Sequence, residues 1–320
     1  MKFRTELTVK PLARPIRYGE PIFAIGSCFA DEVGARLEAD KFLITRNPLG
    51  TLFNPLSIYS LLGRALHDTI FTPNEVQRHP SGEHFLYGLP TRFTFADEGE
   101  LLDAANEALY QTKLRFHEAR HVLVTFGTAW LYRLGDEVVA NCHKQPQALF
   151  TRELATLHEI TQRWSLMLQR HPEKQFIFTV SPIRHLGDGA EGNAVSKATL
   201  RLAVEELCTK HPNAHYFPAY ELLLDDLRDY RFYAEDLCHP APQAVSYIYE
   251  KFAEAAFDAE TRNTTSRLRT LSAFAAHRPL NPASEQYRSE CRRMIERMEE
   301  EQRKNNHDFS AEITLLKGRV

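Results

Sequence analysis

Two short stretches of the chain carry the residue types that acyl-transfer chemistry needs. In "IFAIGSCFA" (22–30), Ser27 and Cys28 stand side by side where an apolar run stops at Gly26 and a helical period, Phe29, Val33, Leu37, begins. A nucleophile at such a seam is lifted out of a sheet by the turn, and the unpaired N–H groups of the helix N-terminus favour an anion beside it. A thiol placed there is expected to have a lowered pKa. The plainer reading is that both residues are small so that the turn can pack, with Ser27 as an N-cap. Far downstream, "AEDLCHPAPQA" sets Asp236 three residues before His239. A carboxylate at that offset can accept the imidazole Nδ1–H and leave Nε2 to face a nucleophile. Together the two stretches suggest attack by Cys28, or by Ser27 in the alternative, with His239 moving the proton and Asp236 orienting it.

Other polar residues fall at the ends of apolar runs. "VANCHK" brings Cys142, His143 and Lys144 together, but two adjacent potential ligands without an outlying partner do not make a zinc site. They read as structural or, if functional, as His143 or Lys144 touching an anionic or hydroxylated substrate. Arg184 and His185 follow another apolar run and are candidates of the same kind, and Trp130 and Tyr132 offer a wall for a sugar or plain packing. The five cysteines are odd in number and scattered, with no CxxC pair, so neither a disulfide framework nor a metal ribbon is expected. No cofactor is called for.

These residues need a scaffold, and the hydrophobic pattern supplies one. Apolar runs at 21–25, 121–127 and 175–182, with a shorter one in "AHYFPA", alternate with helical periods near 100–118, 152–170, 194–210 and 242–259. That alternation predicts an α/β fold with a doubly wound, mostly parallel sheet, in which ligands sit beyond the carboxyl ends of the strands. Hairpin insertions are expected around 73–95 and 129–146, and a Gly-rich loop at "HLGDGAEGN". Near 261 the character shifts to charged helical sequence, which predicts an α/β domain over 1–260 and a helical extension over 261–320. Met294, Ile295 and Met298 make one apolar side there, for packing on the chain itself or for self-association. A net charge of −3 gives no basic field for nucleic acid, and no segment has the apolar length of a signal peptide or a membrane span. The expected location is the cytoplasm and the expected partner a small molecule or carbohydrate ester.

The strings "GSCFA" (26–30), "NPLGTLFNP" (47–55), "FGTAWLY" (126–132), "VANCHKQP" (139–146), "TVSPIRH" (179–185) and "DYRFYAEDLCHP" (229–240) resemble the GSCFA family, over about residues 1–255. The order of motifs is similar to that of the SGNH (GDSL-like) hydrolases. The resemblance implies a flavodoxin-like sheet and ester-bond chemistry, with Cys28 in the nucleophile position and Ser27 replacing an aspartate. It further implies oxyanion donors at the Cys28 N–H, at Gly50, and at the strand end Gly127-Thr128-Ala129-Trp130. There the superfamily's asparagine is missing, and Asn54 or Thr128 would have to substitute. A binding protein on a degenerate hydrolase scaffold is the reading of a different class.

Overall fold

The computed structural model describes residues 4–282 and 284–320. The apolar runs pair as a parallel sheet of five strands: β1 (Ile22–Gly26), β2 (Ile44–Arg46), β3 (His121–Phe126), β4 (Gln175–Val180) and β5 (Ala214–Tyr216). Their order across the sheet is β5-β4-β3-β1-β2. The chain therefore steps outward in one direction from β1 to β2, then returns to β3 and proceeds the other way. The topological switch falls between β1 and β3, where an open α/β sheet leaves a crevice at its carboxyl edge. β2 has no counterpart among the predicted strands, because its three half-exposed residues carry no long apolar run.

Alternate strand residues face opposite layers. Phe23, Ile25, Val122, Val124, Phe126, Phe176 and Phe178 pack against α2 (Pro55–Leu66), α3 (Glu98–Glu118), α4 (Leu157–Arg170) and α5 (Gly189–Lys210). Ile22, Ala24, Leu123 and Ile177 pack against α1 (Cys28–Ala39) and α6 (Pro242–Ala256). Trp164 on α4 is fully buried, edge to face with Phe126 and Phe178 at 5.3 and 5.4 Å. Each such fully buried side chain contributes about 1.5–3 kcal/mol.

Two helix starts differ from expectation. α4 begins at Leu157 and not near 152, because Thr156 and Glu159 form a capping box and residues 151–154 instead pair antiparallel with 130–133. α5 begins at Gly189, inside the expected Gly-rich loop, and Trp130 Nε1–H donates to the Gly192 carbonyl there at 3.1 Å. Short antiparallel sheets occupy 77–95 and 130–154, the second built on a hairpin that turns at Gly135.

Helices α7 (Ala259–Ala276), α8 (Glu285–Asn305) and α9 (Ser310–Lys317) surround their own apolar cluster, which includes Leu268, Leu271, Cys291, Ile295, Met298 and Phe309. The apolar side of α8 is thus covered within the chain. Polar bonds join this cluster to the sheet domain. Arg269 donates to buried Asp40 at 2.7 and 2.6 Å, Tyr249 Oη–H donates to the same carboxylate at 2.6 Å, and Lys41 pairs with Glu312 at 2.6 Å. No helix among the described residues is long and apolar enough to cross a membrane.

Candidate active site

The seam after β1 is shaped by glycine. Gly26 has φ +137°, and a Cβ there would lie 2.1 Å from the Thr125 carbonyl oxygen on β3, so no side chain fits. Buried Asn47 closes the turn, accepting the Gly26 N–H at 2.8 Å and donating to Asp31 at 2.8 Å. Ser27 then occupies the N-cap position and Cys28 the first position of α1. Ser27 makes no capping bond, and its buried Oγ has no hydrogen-bond partner among the described residues, His239 included.

His239 arrives from a loop closed on itself before α6. Residues Tyr233 and Pro240 bridge antiparallel, and Ala234 N–H donates to the His239 carbonyl at 2.8 Å. Asp236 organises the interior of this loop. Its Oδ1 accepts the Cys238 and His239 N–H groups, each at 2.9 Å, and its Oδ2 lies 2.5 Å from His239 Nδ1. These donors, led by the His239 backbone N–H, hold the Asp236 carboxyl down at about 2, so it stays ionised and accepts the Nδ1 proton. Nε2 is left as the basic nitrogen, 3.9 Å from Cys28 Sγ. The two motifs, 211 residues apart, meet at the carboxyl edge of the sheet.

Arg184, just beyond β4, fastens this loop. Its N–H donates to the Cys238 carbonyl and its guanidinium to the Leu237 carbonyl, both at 3.1 Å, and it lies over the rings of Tyr230 and Tyr233. The residue expected to touch substrate therefore holds the loop that carries the histidine.

The thiol departs from expectation. Burial pushes the Cys28 pKa up, and Asp31 and Glu32 in the first turn of α1 add to the rise, while the N–H groups of Cys28 and Phe29 oppose it. Desolvation together with the two carboxylates outweighs the helix N-terminus and favours the neutral thiol.

The further donors expected from the sequence are engaged elsewhere. Gly50 N–H donates to the Asn47 carbonyl at 2.8 Å in a turn, and a Cβ on Gly50 would strike Pro90. Asn54 caps α2: its Oδ1 accepts from Leu56 and Ser57 N–H at 3.1 and 2.8 Å, and its Nδ2 donates to Ser57 Oγ at 2.8 Å. Gly127 N–H donates to the Phe53 carbonyl at 2.7 Å, as does Thr128 N–H at 3.0 Å, while Thr128 Oγ1 bonds Ser196 and accepts from Trp130 N–H. His143 is a core residue. It is 1% exposed, stacked on Phe85, with Nε2–H shared between the Leu86 and Leu89 carbonyls, and burial lowers its pKa. Of the donors expected from the sequence, the Cys28 N–H stays at the start of α1, where it and the Phe29 N–H lie against the Cys28 sulfur.

Sequence reasoning missed Lys197 on α5. It is 1% exposed, and its ammonium donates to the carbonyls of Gly127 and Ser181, beyond the ends of β3 and β4, at 2.7 Å each. His185 lies close by, with a buried Nε2 that has no partner among the described residues. Burial, Lys197 and His239 push the His185 pKa down to about 4. The signal for Lys197 was its place on the apolar face of α5, three residues before Leu200 and seven before Val204.

A cleft of about 120 Å³ opens beside Cys28 and His239, walled by Phe29, Ile183, Pro240 and Val245 with Glu32 and Arg36. A roomier cleft of about 480 Å³ lies against α2, away from this edge. Its charges are spent on pairs such as Arg64–Glu75 at 2.7 Å and Arg133–Glu159 at 2.9 Å.

A flavodoxin-like α/β domain with a Cys-His-Asp constellation at its topological switch defines the class of molecule. The chain belongs to the GSCFA family, whose model matches residues 21–252, and residues 271–320 match the C-terminal domain of GSCFA domain proteins. No curated protein matches the chain. Among solved structures it is similar to LAE5, an alpha/beta hydrolase enzyme from the metagenome of Lake Arreo, Spain, at 11% identity and TM-score 0.44, over 75% of this chain and 96% of that one. It is likewise similar to a catalytic mutant of Axe2, an acetylxylan esterase from Geobacillus stearothermophilus, at 12% identity and TM-score 0.40, over 76% and 97% of the two chains.

Proposed function

We propose that this protein is a hydrolase or acyltransferase acting on the O-acyl ester of a small molecule or carbohydrate. The observation that carries the reading is the relay Cys28 Sγ to His239 Nε2 at 3.9 Å and His239 Nδ1 to Asp236 at 2.5 Å, set at a helix N-terminus. His239 takes the thiol proton as Sγ attacks the ester carbonyl. The charge gathering on the carbonyl oxygen faces the N–H groups at the start of α1. The tetrahedral adduct collapses with loss of the alkoxide, which leaves as an alcohol with the proton from His239. The resulting thioester on Cys28 is attacked by water, deprotonated by His239, or by an acceptor hydroxyl, and the acid or a new ester departs. The small apolar cleft beside the thiol suits a short acyl group.

The second reading is a binding protein on the same scaffold, favoured by the engagement of Gly50, Asn54 and Thr128 in structural bonds. Turnover of 4-nitrophenyl acetate by the full chain separates the two. Esterase activity lost in Cys28→Ala and reduced less than tenfold in Ser27→Ala is expected. Activity lost in Ser27→Ala and intact in Cys28→Ala would make serine the nucleophile, and no turnover above the Cys28→Ala background would leave the binding reading.

A further inference from the structure

Three buried polar groups around the turn at Gly26–Cys28 are not fully satisfied. Ser27 Oγ and His185 Nε2 have no partner, and the ammonium of Lys197 has three N–H groups but only two acceptors among the described residues. They share one neighbourhood. A Cβ on Gly127, whose carbonyl receives Lys197, would lie 3.2 Å from Ser27 Cβ and 3.3 Å from Phe53, and the Phe53 ring meets His185 edge-on at 5.8 Å. A buried cation with a spare donor is costly unless something nearby uses it.

The molecule contains its own comparison. Lys174 is 3% exposed in its side chain and also ties two carbonyls, those of His117 and Ala119, at 3.1 and 2.7 Å. It does so near the amino-terminal edge of the sheet, with the Glu173 carboxylate 3.9 Å from its ammonium. Lys197 has no carboxylate within 4 Å among the described residues, so a tie between carbonyls accounts for only part of it.

We infer that Lys197 is a positioning residue for the nucleophile, its ammonium fixed by Gly127 and Ser181 behind the Gly26–Cys28 turn so that it stabilises the negative charge of the Cys28 thiolate. The inference rests on Cys28 as the attacking group. Asp31, Glu32, Arg36, His185 and His239 also face the sulfur or its immediate surroundings. The two carboxylates disfavour the thiolate, and buried His185 is neutral at pH 7. Burial pushes the Lys197 pKa down to about 7 against the opposing pull of charge on Cys28, so cation and thiolate support one another.

The test is the pH dependence of Cys28 carbamidomethylation by iodoacetamide, followed by peptide mass mapping in the full chain, a readout independent of ester turnover. Lys197→Gln keeps an N–H donor on a side chain one atom shorter while losing the charge, Lys197→Arg keeps the charge, and Lys174→Met controls for loss of a structural tie. At pH 6, Lys197→Gln should alkylate about tenfold slower than wild type, the gap closing as pH rises toward the plateau, with Lys197→Arg and Lys174→Met within about threefold of wild type. A folded Lys197→Gln with the wild-type profile overturns the inference, whatever the esterase assay shows. Should that variant not fold, the wild-type chain gives the same answer. The Lys197 pKa, read by ¹⁵N NMR, should stand about one unit higher when Cys28 is carboxymethylated than when it is carbamidomethylated, and equal values overturn the inference.

Discussion

Replacing Asp236 by Asn separates the loop's architecture from its proton chemistry. Asn keeps an oxygen for the Cys238 and His239 N–H groups, the two 2.9 Å bonds that shape the loop, but puts an NH₂ where Oδ2 accepts the imidazole proton at 2.5 Å. His239 Nδ1 then becomes the acceptor, the proton moves to Nε2, and the nitrogen facing Cys28 can no longer take the thiol proton. General-base assistance contributes about 10²- to 10⁴-fold, and the Asp236 and His239 side chains are 49% and 52% exposed, so water competes for these bonds. The expected loss in kcat/KM for 4-nitrophenyl acetate at pH 7 is therefore at the lower end, about 10²- to 10³-fold, with thermal stability close to wild type. As pH rises toward the raised thiol pKa, hydroxide supplies the thiolate and the variant should recover about tenfold per pH unit. Full activity in a folded Asp236→Asn at pH 7, or a deficit that does not change with pH, would refute the relay.

The cap assignment of Asn54 makes a second expectation: Asn54→Ala should cost about 1–2 kcal/mol in denaturant unfolding and leave kcat/KM within a few-fold, whereas a loss of 10²-fold or more would return it to the oxyanion site. Buried His143 and His185 are held neutral, so below pH 6.5 the unfolded chain binds more protons than the folded one. Their contribution to stability is complete above about 6.5 and falls as pH descends toward about 4, the folded value for His185. A melting temperature flat across that window would contradict their burial. Arg269→Ala, which leaves the Asp40 carboxylate with Tyr249 alone on its side-chain bonds, should destabilise the chain by about 2 kcal/mol, measured by urea unfolding.

The parts of this site readable in the sequence are those built from local pattern. An apolar strand ending in Gly26, a helical period from Phe29, and a carboxylate three residues before a histidine are short-range arrangements, and the structure brings them together at the expected sheet edge. Where the reading failed, the missing quantity was tertiary. Desolvation of Cys28 depends on the packing of α6 and the 233–240 loop over α1, so the helix N-terminus alone pointed the wrong way. Lys197 was not singled out in the sequence, although its spacing to Leu200 and Val204 placed it on the buried face. Two structural roles were legible from local chemistry. Asn54 followed by Pro55 is an N-cap signature, and "NPLG" is a turn whose fourth N–H belongs to Asn47. The start of α4 was likewise written in Thr156 and Glu159.

A covalent acyl bond to Cys28 is the central claim of the proposed chemistry. Full-length protein mixed with 4-nitrophenyl acetate, quenched in acid within the first turnover and mapped by peptide mass spectrometry, should carry one acetyl group on Cys28, released by neutral hydroxylamine as a thioester is. The same group on Ser27, or steady turnover with residues 26–28 never modified, would contradict it.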